Sequence, residues 1–135
     1  MPPESGCGGG CGIDGAIHCA AGPLLRDACA LLGGCRTGEV KITRAFDLPA
    51  RRILHTVGPK RTGRDAVLAL CYTNSLDLAA HHACRSVAFP CISTGAFGFD
   101  RAAAAEIAMS AVRDWLQTKD NRARMDAIIF SFFTD

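Results

Sequence analysis

From residue 39 to the end of the chain, short runs of strand length alternate with longer stretches of helical period, and few folds accommodate that order. Residues 39–43 alternate apolar and polar like a strand. Ile53, Leu54, His55, Thr56 and Val57 form a compact run between Pro49 and the pair Gly58 and Pro59, which predicts a second strand. Asp65 is placed to cap a helix with Leu68, Cys71, Tyr72, Ser75, Leu76 and Ala79 on one face. Residues 87–93 predict a buried strand in which Pro90 leaves a ladder bond unmade. Asp100 is placed to cap a long helix to about Thr118, with Ala104, Ile107, Ala108, Ala111 and Trp115 inward. Residues 127–133, nearly all apolar, predict a last strand covered on both faces. This order is the α/β pattern, a mostly parallel or mixed sheet with helices on both faces, although four strands are all that can be read.

Upstream, a Gly/Cys stretch over residues 6–15 runs into a helix expected at Ala16, with Ile13, Ala16, Ile17 and Ala20 at helical spacing. Gly22 is the expected stop, and Pro23 opens a second helix carrying Leu24, Leu25, Ala28, Cys29 and Leu32. With 135 residues, one domain is expected over 1–135. The formal charge of +2 is too small to argue for nucleic acid. Arg36, Lys41, Arg44, Arg51, Arg52, Lys60, Arg61 and Arg64 do cluster, but Phe46 is the one aromatic residue among them, short of the interleaving that single-strand binding requires, so a solvated face is expected and nucleic acid is not.

The eight cysteines follow no secretory signal and include no C-x-x-C pair, which argues against both a disulfide framework and a zinc site. Cys29, Cys71, Cys84 and Cys91 sit among apolar neighbours as small buried hydrophobes. The expected location is intracellular and reducing, in cytoplasm or nucleus, with the mitochondrion left open. No apolar run is long enough to span a membrane, so no membrane partner is expected.

Two segments fit a ligand site at the carboxyl end of strands. Ser93, Thr94, Gly95, Ala96, Phe97, Gly98 and Phe99 join a buried strand to the Asp100-capped helix. Their backbone N–H groups and the helix dipole suit a phosphate, and Phe97 and Phe99 are placed to cover a sugar or base. The same residues equally describe a tight connection with its aromatics in the core. The second segment is Gly8, Gly9, Gly10, Cys11, Gly12, Ile13, Asp14 and Gly15, neither a Walker loop nor a Rossmann fingerprint. Asp14 is either a capping carboxylate or a carboxylate beside bound phosphates. None of His18, His55, His81 and His82 has a nucleophile at a recognisable spacing, and His55 reads as a satisfied core histidine.

The blocks Gly9 to His18, Ala20 to Pro23, Thr37 to Thr43, Leu48 to Ala50, His55 to Pro59 and Ala88 to Gly95 arrive in an order that resembles a macrodomain of the MacroD type. The resemblance implies a three-layer α/β/α sandwich with a mixed sheet and a cleft for ADP-ribose. It implies a mono-ADP-ribosyl hydrolase acting on ADP-ribosylated acidic side chains and on O-acetyl-ADP-ribose, with no cofactor and no metal. Carried over by position, Gly9, Gly10, Cys11, Gly12, Ile13, Asp14 and Gly15 lie beside the distal ribose and pyrophosphate. Ser93 to Phe99, including Ala96, form the phosphate loop. Phe133 lies against the adenine, and Asp14 is the catalytic residue that positions water with help from the substrate's phosphate.

The resemblance also implies a preceding strand, helix and strand ending in Asn-Ala-Ala-Asn, which this chain is expected to lack. Counting back from Asp14 puts Glu4 at the second asparagine, and a carboxylate accepts where that amide donates. Two further readings therefore stay open: a non-catalytic ADP-ribose binding module, and an inactive incomplete domain.

Overall fold

The computed structural model describes residues 12–61, 63–95 and 97–131. The chain divides into two compact units, Met1–Val57 and Gly58–Asp135.

The first unit holds α1 (Gly12–Ala21), α2 (Leu24–Ala30), β1 (Val40–Arg44) and β2 (Arg52–Thr56). The first helix starts at Gly12 rather than Ala16, so Asp14 is in its first turn. First-turn N–H groups need no intrahelical partner, and a carboxylate there complements the helix dipole, so glycines do not prevent the turn from forming. Gly22 ends α1 at φ +90, its N–H bonding the His18 carbonyl at 3.1 Å. The positive φ favours glycine here, and a Cβ at 2.9 Å from Asp47 Oδ2 would only push aside the end of that exposed side chain. Pro23 follows as the N-cap of α2, where a missing N–H is harmless. Ala21, Leu25 and Cys29 form the core of this unit, with Ile17, Leu32, Phe46, Leu48 and Ile53 packed against it. The strands pair antiparallel with Val40 opposite Thr56 and Arg44 opposite Arg52. Val57, expected within the second strand, instead makes a parallel bridge to Thr37.

The second unit holds α3 (Asp65–His81), β3 (Ser86–Phe89), α4 (Arg101–Gln117), α5 (Asn121–Arg124) and β4 (Ala127–Phe130). Strands β3 and β4 run parallel and in register from Ser86 and Ala127 to Phe89 and Phe130, joined by the α4 crossover. The buried residues of α3 are the six that its periodicity predicts. On α4 the buried set is Ala104, Ala108, Ala111, Val112 and Trp115, and the small alanines let α4 pack closely on α3. Trp115 Nε1 donates to Asp77 Oδ1 at 2.7 Å, which gives the indole a polar partner. Tyr72, Phe89 and Phe130 make a ring cluster with centroids 5.0 to 6.3 Å apart, fastening α3 to the strand pair.

Several expectations are corrected. Asp65 is the first residue of α3, not its cap; Arg64 takes that place without a side-chain bond. Strand β3 stops at Phe89 because Pro90 has no N–H to continue the ladder. In β4, Ala127 and Ile129 are exposed, Ile129 at 52%, so the strand is not covered on both faces. Successive side chains alternate across a strand, and among the described residues the ring cluster packs on the face that Phe130 shares. Helix α5 was not expected: its four residues, Asn-Arg-Ala-Arg, carry no apolar period. Asn121 Nδ2 anchors it on the Trp115 carbonyl at 2.9 Å.

Asp100 does cap α4, accepting from the Ala103 N–H at 2.9 Å. Asp100→Ala is expected to lower stability by about 1 kcal/mol in urea unfolding.

Candidate functional site

In the second unit, the connection from β3 to α4 is a loop closed on itself. Phe99 N–H bonds the Ser93 carbonyl at 2.8 Å, and Gly98 N–H bonds that of Gly95 at 3.0 Å. Ser93 at φ +67 and Gly98 at φ +70 supply the left-handed turns, and for Ser93 this is strained backbone. Thr94 Oγ1 donates to the Cys91 carbonyl at 2.9 Å. Ser93 Oγ is buried and has no hydrogen-bond partner among the described residues. Leaving such a group unpaired costs about 1–3 kcal/mol.

Gly58 packs on the start of this loop: a Cβ there would overlap Ser93 Oγ and lie 2.6 Å from Ile92 Cγ2. Gly95 and Gly98 border open space instead. Of the two loop aromatics, Phe99 is buried in the core. Phe97 is half-buried at the loop's apex, with the Lys60 ammonium 5.8 Å from its ring centroid.

In the first unit, Asp14 and His18 stand one turn apart on α1, with Asp14 Oδ1 3.7 Å from His18 Nε2 and side-chain exposures of 28% and 8%. That distance suits an ion pair and is too long for a hydrogen bond. His18 Nε2 is buried and has no hydrogen-bond partner among the described residues. Sequence reasoning set His18 aside, although its i, i+4 spacing from Asp14 was the available signal.

His55 is buried, with Nε2 2.9 Å from Thr43 Oγ1 and the Cys29 sulfur about 4 Å from both ring nitrogens, which is the expected core histidine. Burial pulls its pKa below the ordinary value of 6.5; Asp14 opposes that and His18 adds to it. The unfolded chain then binds this proton at higher pH than the folded one. Its contribution to stability is complete above 6.5 and is lost as pH falls through the folded value. Thermal unfolding midpoints are expected to drop as pH is lowered past 6.5, and to drop less in His55→Gln.

Of the sequence-derived site residues, Gly12, Ile13, Asp14 and Gly15 form the first turn of α1, and Ser93, Thr94, Gly95, Phe97, Gly98 and Phe99 belong to the second-unit loop. Gly9, Gly10, Cys11, Ala96 and Phe133, together with Glu4, lie outside the described residues. Arg36, Arg44, Arg51, Arg52, Lys60, Arg61 and Arg64 are exposed, while Lys41 bonds the Leu32 carbonyl at 2.8 Å. Among the described residues no group of three His, Cys, Asp or Glu side chains is placed to hold a metal ion, and no helix is long and apolar enough to cross a membrane.

A family model described as Macro domain matches residues 4–108. The chain belongs to the macro domain family. This macro domain is 55% identical over 130 residues to Macro domain-containing protein RSc0334 of Ralstonia nicotianae, covering 93% of the chain and 72% of that protein. It is 48% identical over 132 residues to the ADP-ribose glycohydrolase MACROD1 of Bos taurus, covering 94% of the chain and 40% of that protein. Its structure matches the Trypanosoma brucei macrodomain solved in complex with ADP-ribose at a TM-score of 0.91 and 42% identity, covering 98% of this macro domain and 56% of that chain. The macro domain thus spans about half the length of the last two. Its fold is the mixed α/β macrodomain fold expected from the sequence blocks.

Proposed function

We propose that this macro domain binds ADP-ribose and hydrolyses the ester that links mono-ADP-ribose to acidic side chains of proteins. The observation that carries this reading is the 48% identity to an ADP-ribose glycohydrolase over 94% of the chain. The loop after β3 supports it chemically: glycines bordering open space and the positive end of α4 favour a phosphate. In this reading residues 93–99 hold the diphosphate, while Asp14 orients a water that the substrate's own phosphate helps to deprotonate. Attack by that water breaks the ester, releasing ADP-ribose and restoring the protein carboxylate. O-acetyl-ADP-ribose, an ester of the same sugar, is a second substrate. The six described cysteines form no disulfide, which supports a reducing intracellular location in this reading.

A second reading, binding without catalysis, is favoured by Glu4 at the position of the family asparagine. Calorimetric titration with ADP-ribose, followed by an assay of ADP-ribose release from a glutamate-modified protein, separates the two. Binding with release is the expected result; binding without release leaves a reader module, and no binding by the folded protein removes both.

A further inference from the structure

We infer that Lys60 is a positioning residue for the phosphate loop, acting through Phe97 to strengthen the binding of the ADP-ribose sugar. The inference rests on the ADP-ribose reading above and adds to it a residue outside both glycine segments.

Two contacts tie the segment after β2 to the loop within the second unit. At the loop's start, Gly58 is so close to Ser93 and Ile92 that no side chain fits between them. At its apex, two residues further along the same segment, the Lys60 ammonium lies 5.8 Å from the centroid of Phe97. That is within the range over which a cation is attracted to the face of an aromatic ring. The backbone between these contacts includes Pro59, whose ring restricts φ and limits the freedom with which Lys60 can move away from Phe97.

Phe97 needs such a restraint. It is an apolar ring at the apex of a short loop, half-buried, next to Gly98 in a left-handed conformation and two residues before Phe99, whose ring fills the core. Hydrogen bonds hold the loop's backbone at Gly98 and Phe99, but they do not set the Phe97 side chain. With Phe99 committed to the core, Phe97 is the loop aromatic left to cover a sugar. A ring already held in place loses less freedom when a sugar packs on it, which raises affinity without a new ligand contact. The ammonium is suited to this use because it is attracted to the face of the ring.

The alternative use of Lys60 is direct attraction to the diphosphate, and a double-mutant cycle separates the two. ADP-ribose affinity is measured by calorimetry for the wild type, Lys60→Met, Phe97→Leu and the double variant, at low and high salt. Lys60→Met is expected to weaken binding about two- to five-fold, the size of an exposed cation–π contact. It is expected to have no further effect once Phe97 is Leu, and Lys60→Arg is expected to restore affinity because guanidinium also binds ring faces. Equal losses from Lys60→Met with and without the Phe97 ring, growing at low salt, would show a direct phosphate contact and overturn the inference. So would a loss that Lys60→Arg fails to restore. Wild-type protein that binds no ADP-ribose removes the functional reading itself, and this inference with it.

Discussion

Asp14→Asn is expected to leave ADP-ribose bound while reducing hydrolysis of the ester by about 10²-fold or more, the usual cost of a misplaced reactant. The substitution keeps the shape of the side chain and removes its charge. An amide presents one oxygen and a pair of donors where the carboxylate presents two acceptor oxygens, so a water held by the carboxylate loses its orientation. Through the helix dipole alone, a first-turn carboxylate contributes about 0.3–1 kcal/mol to folding. The 3.7 Å pairing with His18 is too long to add a hydrogen bond to that. The variant also removes the charge that opposes the downward shift of His55, so the His55 pKa is expected to fall further, a change readable by NMR titration. Single-turnover release of ADP-ribose beside calorimetric affinity gives the decisive comparison. A variant that turns over at the wild-type rate would remove Asp14 from the mechanism, and one that loses binding and turnover together would make it a ligand contact.

Gly58→Val carries the second large effect. Even a Cβ would overlap Ser93 Oγ and press on Ile92 Cγ2 at 2.6 Å, and valine adds two methyl groups at a buried position. Ser93 can rotate its hydroxyl away, but its own Cβ at 3.3 Å and the branched Ile92 leave no room for the rest. Overpacking of this kind costs about 1–3 kcal/mol in urea unfolding. The strain falls on the residue that opens the phosphate loop, so ADP-ribose affinity is expected to fall with stability. Ser93→Ala identifies the mechanism: it removes the atom that the new Cβ meets first, and so is expected to recover part of the loss in Gly58→Ala. In the wild-type background the same change deletes a buried hydroxyl without a partner, so stability is expected to hold or rise while affinity drops. A Gly58→Val chain as stable as wild type would show that the two segments do not pack as described.

The helices were the most legible part of the fold. On α3 all six buried residues follow from spacing, because a single helix face against its neighbours needs little beyond a 3.6-residue period. Strand ends were read less well. The apolar run after Phe89 looked continuous, yet Pro90 breaks the ladder, and a run of apolar letters does not say which residues find hydrogen-bond partners. Helix α5 escaped because it is held by side-chain bonds, Asn121 on the Trp115 carbonyl and Arg85 on the Ala123 carbonyl, and not by a period. In the loop after β3, the glycines were visible as a phosphate-binding pattern. That Phe99 turns inward and Phe97 outward was not, since both are the same letter two positions apart.

The amino-acid order by itself determined the succession of helices and strands apart from α5, the inward face of α3 and the family, because each of these is written in local period or in blocks of neighbouring residues. Tertiary structure alone decided that β1 and β2 run antiparallel while β3 and β4 run parallel. It also decided that Ser93 buries a hydroxyl without a partner, and that Lys60 meets Phe97 across 37 residues of sequence. These depend on which distant segments come together, and neither periodicity nor propensity carries that information: the energies that choose among contacts arise only once the chain has folded back on itself.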